Sequence, residues 1–351
     1  MSPRAALPAA LLVLLVLLVT RLLAACAEPP GSPAGPPSTI DPATALRVAL
    51  LEARPGDAVA IPEGRLEFDR GLSLATDGVT VRGAGPDRSV LSFADQRSGA
   101  EGLLVTADGV TLEDFAVEDA RGAAVRIEDC LDLVIRRVRT EWAGRRDPDD
   151  RACGFCPVQC AGVLIEDSLA LGASGAGIRV RGSQDVLVRG NRLERNFAGI
   201  EIENSRRVDL VDNDLRGNRG GILVAVRPDL PVRGGRETRI RGNRIRGAAT
   251  EPFAPAASIA DRVPAGTGIM VTAGDAVEIV DNDLEDHATA AVLLVSQLLT
   301  GRPVRDPTYD PYPEAIEVHG NRIGRSGHAP AAEPLAAFHA SLGGADLPPI
   351  L

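Results

Sequence analysis

Between Val79 and Ile323 aliphatic and polar residues alternate with a period of two in short runs, and the runs recur. One phrase appears five times: aliphatic, any residue, Gly or Asp, Asn, any residue, Leu or Ile. Its copies are Val188–Leu193, Leu210–Leu215, Ile240–Ile245, Ile279–Leu284 and Val318–Ile323. Their asparagines, Asn191, Asn213, Asn243, Asn282 and Asn321, are 22, 30, 39 and 39 residues apart. A base step near 22 with longer variants is one repeating unit plus insertions. Nine versions of the Asn-bearing strand start near Val79, Val110, Leu133, Val163, Val186, Val208, Thr238, Val277 and Ile316. A second strand accompanies each, clearest at Gly177–Arg181, Gly199–Glu203, Gly221–Ala225 and Gly268–Thr272. Ile178, Val180, Ile200, Ile202, Ile222 and Val224 are expected to stack inward, and the asparagines to form a hydrogen-bonded ladder at one corner. The pattern predicts an all-β, single-stranded solenoid of about ten coils, each adding ~4.8 Å along the axis.

Four stretches break the 22-residue step: Ala143–Ala152, Arg227–Glu237, Ala249–Ala265 and Leu298–Glu314. All are Pro-rich or charged, and they leave from the two edges of the second-strand sheet, where binding loops usually sit. Ala43–Ala53 has helical spacing and ends at Pro55-Gly56, so a short helix precedes the first coil. The solenoid is assigned to residues 43–329, and residues 330–351, with Leu335, Phe338 and Leu342 at helical spacing, to a C-terminal capping segment.

Residues 1–25 begin with Arg4, continue through the apolar run Leu11–Val19 and close with Arg21. That run is too short to span a bilayer comfortably and reads as a signal peptide. Leu23-Ala24-Ala25-Cys26 resembles a bacterial lipobox, which implies cleavage before Cys26 and lipidation of its sulfur. The expected product is an exported, membrane-anchored lipoprotein at the outer membrane, periplasm or cell surface. Residues 26–42, rich in Pro, Gly and Ser, read as a flexible tether.

The helix followed by Gly56-Asp57-Ala58-Val59-Ala60-Ile61-Pro62-Glu63-Gly64 resembles the opening of pectin-lyase-like, right-handed parallel β-helix proteins. In that family the helix covers the open end of the core. Cys153-Gly154-Phe155-Cys156-Pro157-Val158-Gln159 resembles in outline the YGFDPHE motif of mannuronan C5-epimerases. Gly154, Phe155 and Pro157 match, but Cys156 and Val158 stand where that family carries its catalytic Asp and His. Cys153 replaces its Tyr and Gln159 its Glu, so epimerisation by that mechanism is not implied. The run through Cys160 is closer to the GxYGxxPVQC of a group of bacterial β-helix repeat proteins. That likeness extends through Gly199–Ser205, Asp229–Val232 and Val263–Val271 and covers most of residues 43–325.

All 38 basic residues are Arg, so Lys-based catalysis is excluded. The net charge is −10 and nears −12 once Arg4 and Arg21 are set aside, which disfavours nucleic acid as a partner. All four His (His287, His319, His328, His339) lie in the last quarter, far from the cysteines, and neither a metal nor a cofactor is expected.

The 22-residue step stacks Arg179 on Glu201 and Arg181 on Glu203, all facing out. The same rows continue into Leu223, Ala225, Met270 and Thr272, an apolar stretch that the insertions are expected to cover. The charged part has two readings: a groove for a uronate-bearing glycan, with Arg holding carboxylate and Glu as acid or base, or a plain ion-pair ladder. Trp142 is a candidate for stacking on a sugar ring. Cys130 and Cys160 are expected at one corner of adjacent coils, as a candidate disulfide. Cys153 and Cys156, three apart in a strand, lie ~10 Å apart unless Cys153 occupies the preceding bend. Two functions follow. One is a lipid-anchored envelope protein binding, or modifying as a lyase, epimerase or glycoside hydrolase-like enzyme, an acidic polysaccharide. The other is a non-catalytic scaffold whose loops bind an envelope protein.

Overall fold

The computed structural model describes residues 40–143, 152–247, 264–300, 304–331 and 333–351. Cys26, the signal segment, most of the tether, and much of the insertions at 143–152 and 249–265 lie outside the described residues. The described chain winds as a right-handed parallel β-helix, and every strand pairing between coils is parallel.

Each coil contributes three strands. Face A holds the Asn-bearing strand and is ten strands deep, from Ala58–Ala60 through Gln184–Arg189 and Arg206–Val211 to Ile316–His319. Face B holds the short strand after the asparagine, such as Arg192–Glu194, Asp214–Arg216 and Asp283–Glu285. Face C has nine strands, from Arg70–Leu74 to Ala290–Val295, and includes Ala176–Arg181 and Ala198–Glu203. The alternation pattern shows faces A and C but misses face B. A three-residue strand carries one inward residue (Leu193, Leu215 or Ile245) and so shows no period of two.

The core is built from columns of like residues. Ile178, Ile200, Ile222, Ile269 and Val292 are register partners from coil to coil, all fully buried. Burying each such side chain stabilises the fold by about 1.5–3 kcal/mol. Near the N-terminal end larger residues fill the bore, with Phe68 and Phe93 stacked at 5.3 Å between ring centroids.

The corners explain the repeated phrase. The Gly or Asp before each ladder asparagine takes left-handed φ (Gly190, Asp212, Gly242, Asp281 and Gly320 in successive coils), as does Asp167 before Ser168 in the coil below. From Asp167 onward aspartate and glycine alternate along this stack, which begins with Asp114 and Arg137 in the two coils before. A Cβ on Gly190 would lie 2.9 Å from Asp167 Oδ1, and the same carboxylate crowding recurs at Gly242 and Gly320. Each aspartate therefore leans into the space left by the missing Cβ of the next coil. Both residues tolerate this backbone region better than most.

One residue on, Asn191, Asn213, Asn243, Asn282 and Asn321 form the expected ladder. Each of the first four donates through Nδ2 to Oδ1 of the next at 2.9–3.0 Å. That same Oδ1 accepts a backbone N–H from the coil before. A second corner repeats the device with Asn196 and Asn218.

The ends are closed differently. Helix α1 (Pro42–Glu52) covers the N-terminal coil with Leu46 and Leu50. At the other end the chain returns through helix α2 (Glu333–Ser341), and its last residues extend face C: Val292 N–H donates to Pro349 and Leu294 N–H to Leu351.

Candidate functional site

The outward side of face C carries two columns. One runs Arg126, Cys156, Arg179, Glu201, Leu223, Met270, Leu293, and the other Glu128, Val158, Arg181, Glu203, Ala225, Thr272, Val295. Arg179 Nε lies 2.6 Å from Glu201 and Arg181 Nε 2.6 Å from Glu203. Arg227, first residue of the second insertion, reaches Glu203 at 2.6 Å and Asp229 at 2.8 Å. Its backbone is fixed by Asn204, whose Oδ1 accepts the Arg227 N–H and whose Nδ2 donates to the Arg227 and Val232 carbonyls.

This network is not an open groove. Glu201 and Glu203 are buried, at 6% and 1% exposure. Burial alone would raise the Glu203 pKa, but Arg181, Arg179 and Arg227 outweigh it and hold the carboxyl below the usual range. Burial likewise works against charge on Arg179, and Glu201 and Glu203 restore it. Glu203 is thus a fixed anion with its oxygens occupied, unsuited to proton transfer. The apolar half is covered too, among the described residues by the C-terminal segment; most of the 249–265 insertion expected to contribute lies outside the described residues. Phe197, Leu223, Met270 and Leu293 form a second hydrophobic cluster, and Leu335 of α2 and Leu351 pack on it.

Three other candidates are corrected. Trp142 is 8% exposed within the main core, and its Nε1 donates to the Ala120 carbonyl at 2.6 Å, so it offers no sugar platform. Cys130 and Cys160 do stack at one corner, but as free thiols. They belong to a ladder with Ser183 and Ser205, in which each side chain donates to the carbonyl two residues earlier: Cys130 to Glu128, Cys160 to Val158, Ser183 to Arg181, Ser205 to Glu203. Sulfur here stands in for a hydroxyl, and each thiol donates to a carbonyl. The hydrogen bond with Cys160, then burial, push the Cys130 thiol up. The disulfide joins Cys153 to Cys156 instead, with Cα atoms 6.2 Å apart. Three residues of extended chain span ~10 Å, so the strand bends between them. The two positions that carry acid and base in the epimerase motif are therefore a disulfide sulfur and Val158. Among the described residues no group of His, Cys, Asp and Glu could hold a metal.

An open polar cleft lies elsewhere, on face A. Its volume is about 450 Å³, and Arg207, Asp209, Glu237, Thr238, Arg239 and Glu278 line it. Apart from the buried Thr238, these are outward positions of three consecutive coils. Arg239 lies 3.0 Å from Glu278 and 3.8 Å from Asp209, all solvent-exposed. Arg207 forks onto Asp185. Two insertions depart from the corner where face C leads into face A, and they are tied together: Arg233 to Asp306 at 2.6 Å, and Tyr309 O–H to the Val226 carbonyl at 2.6 Å. Sequence reading missed this cleft, although aligning outward positions of the Asn-bearing strands places these charges side by side.

Residues 92–245 match the family described as "right handed beta helix region". No curated protein matches the sequence. Among solved structures, the mannuronan C-5 epimerase AlgE6 A-module of Azotobacter vinelandii is similar at 17% identity, with 81% of this chain and 84% of that chain covered and a TM-score of 0.50. A C387A mutant of the DFA-IIIase of Arthrobacter chlorophenolicus A6, in complex with DFA-III, gives 13% identity, 90% and 89% coverage, and a TM-score of 0.52. The tailspike of E. coli bacteriophage HK620 gives 13%, 76% and 57%, and 0.51. At these identities the likeness is one of fold, and the chain is a right-handed parallel β-helix protein.

Proposed function

We propose that this is an exported, lipid-anchored β-helix protein that binds an acidic polysaccharide on the outside of its coils and leaves the polymer intact. The observation that carries the reading is the face A cleft, the solvent-open group of charged side chains flanked by ordered insertions. Arg207 and Arg239 can exchange exposed protein carboxylates for a uronate, a low-cost swap because surface pairs are worth only about 0–1 kcal/mol. Asp209, Glu237 and Glu278 accept hydrogen bonds from ring hydroxyls. Against catalysis stands the buried, fully ion-paired carboxylate of Glu203 on face C.

The test is a panel of uronic-acid, neutral and amino-sugar polymers, scored for binding and for new unsaturated or reducing ends. Binding to uronic-acid polymers, weakened about 10-fold in Arg239→Ala and with no new ends, is expected. New chain ends, or no binding to any polymer, would overturn it. The alternative, a scaffold for an envelope protein, has one observation in its favour: Leu298, Leu299 and Tyr312 of the last insertion are 51%, 78% and 55% exposed.

A further inference from the structure

The caps of a solenoid normally turn a polar face outward, because a bare apolar end invites association. Helix α1 departs from this. Leu46 and Leu50 face the core, yet the outward side carries Ala45, Val48, Ala49 and Leu51, with Thr44 and Glu52 as its polar members. Val48 is 42% exposed and Leu51 68%, and Ile40, just before the helix, is 66% exposed. The helix's one cation is drawn away from this side: Arg47 lies 5.8 Å over the Phe68 ring and 3.3 Å from Asp69.

Position along the chain points to the occupant. Ile40 lies fourteen residues after Cys26. A random-coil chain of that length has an end-to-end distance of roughly 20 Å, and even fully extended it cannot exceed about 50 Å. If Cys26 carries lipid, α1 is therefore held within reach of the bilayer surface, where exposed Ile, Val and Leu enter the boundary between headgroups and acyl chains. A single acyl anchor binds reversibly, and a second apolar contact adds to its hold.

We infer that the apolar outer side of the N-terminal cap, carried by Val48 and Leu51 of α1, is a lipid-contacting surface that stands the β-helix end-on on the membrane. The inference rests on the lipid-anchor part of the proposed function. It places the face A cleft on the flank of a rod projecting from the bilayer.

The test uses full-length lipidated protein carrying an environment-sensitive fluorophore at Leu51→Cys or, at the far end, Leu299→Cys. Cys130 and Cys160 are buried and do not compete for label. Vesicles of phosphatidylcholine and phosphatidylglycerol contain a brominated lipid as quencher. A blue shift and quenching at position 51, with neither at 299, is the expected result, and Val48→Glu should diminish the shift at 51. No quenching at 51 while the protein sediments with vesicles would overturn the inference and leave the anchor intact. Quenching at both positions would mean the rod lies flat, and overturns it as well. Failure to sediment with vesicles would overturn the anchor, and this inference with it.

Discussion

Protonation of His287 should control stability between pH 7 and 5. His287 occupies the second-corner position held by Asn196 and Asn218 in earlier coils, two residues beyond a face B strand. It has no solvent exposure, and neither ring nitrogen has a hydrogen-bond partner among the described residues. Burial is the main cause that lowers its pKa from 6.5 to about 4. The folded pKa is below the unfolded one, so the unfolded chain binds the extra proton. The contribution is complete above pH 6.5 and is lost as pH falls toward 4. Each pKa unit is ~1.4 kcal/mol, which gives about 2 kcal/mol lost between pH 7 and 5 and roughly 3 in full. The carboxylates held low by arginines, Glu113, Glu203 and Asp283 among them, are shifted down like His287, but from ordinary values near 4, so their contribution is lost at lower pH than this window. His287→Asn restores the residue the corner uses elsewhere and removes the titration. Urea unfolding followed by circular dichroism at pH 7, 6 and 5 measures both proteins. Wild type should lose stability across the series, and His287→Asn should lose at least ~1.5 kcal/mol less. Parallel pH slopes for the two would refute the assignment.

Two further outcomes follow from the corners and the buried network. Glu203→Gln leaves Arg181 and Arg227 without their shared counter-charge; unfolding free energy should drop by about 3–5 kcal/mol, and a midpoint within ~1 kcal/mol of wild type would show the network is solvated. Gly320→Asp alone sets its carboxylate against that of Asp281 at the left-handed corner and should cost ~2 kcal/mol or more, whereas the double exchange Asp281→Gly, Gly320→Asp moves one carboxylate across the same gap and should recover at least half. Thermal melts of the three variants measure the recovery, and none would mean the alternation is incidental.

Much of the fold was legible because period-two runs place Ile178, Ile200 and Ile222 at one spacing, and only stacked coils bury all three. The Asn ladder was legible for the same reason. Face B was not, since one inward leucine per strand carries no periodicity. The cysteine pairing was not, because spacing brings Cys130 to Cys160 correctly but does not say where each sulfur points. Ser183 and Ser205 held that information, as the next rungs of the same corner. The Arg179–Glu201 and Arg181–Glu203 pairs followed from the step of 22, whereas the contact of Arg227 with Glu203 and the packing of Leu335 and Leu351 on the neighbouring apolar half come from chain outside the repeat. Local pattern sets register, and occlusion of a surface is settled by distant chain.

The same division explains where this protein can vary. Asn191 to Asn213 spans 22 residues, Asn213 to Asn243 spans 30, and Asn243 to Asn282 spans 39, yet the three inter-asparagine hydrogen bonds are 3.0, 2.9 and 3.0 Å. Inserting 8 or 17 residues therefore leaves the ladder unchanged. Loop-closure entropy grows only with the logarithm of length, about 0.6 kcal/mol per doubling, so the insertions cost little beside the buried columns they interrupt. Coil geometry is set by the corners and core columns, while the insertions are free to differ in length and chemistry. A ligand preference carried by Arg239, Glu278 and their flanking loops can then change without disturbing Ile240 or Asn243 one or a few residues away. For that reason the proposed function assigns ligand specificity to the outward charges of face A rather than to the saturated pairs of face C.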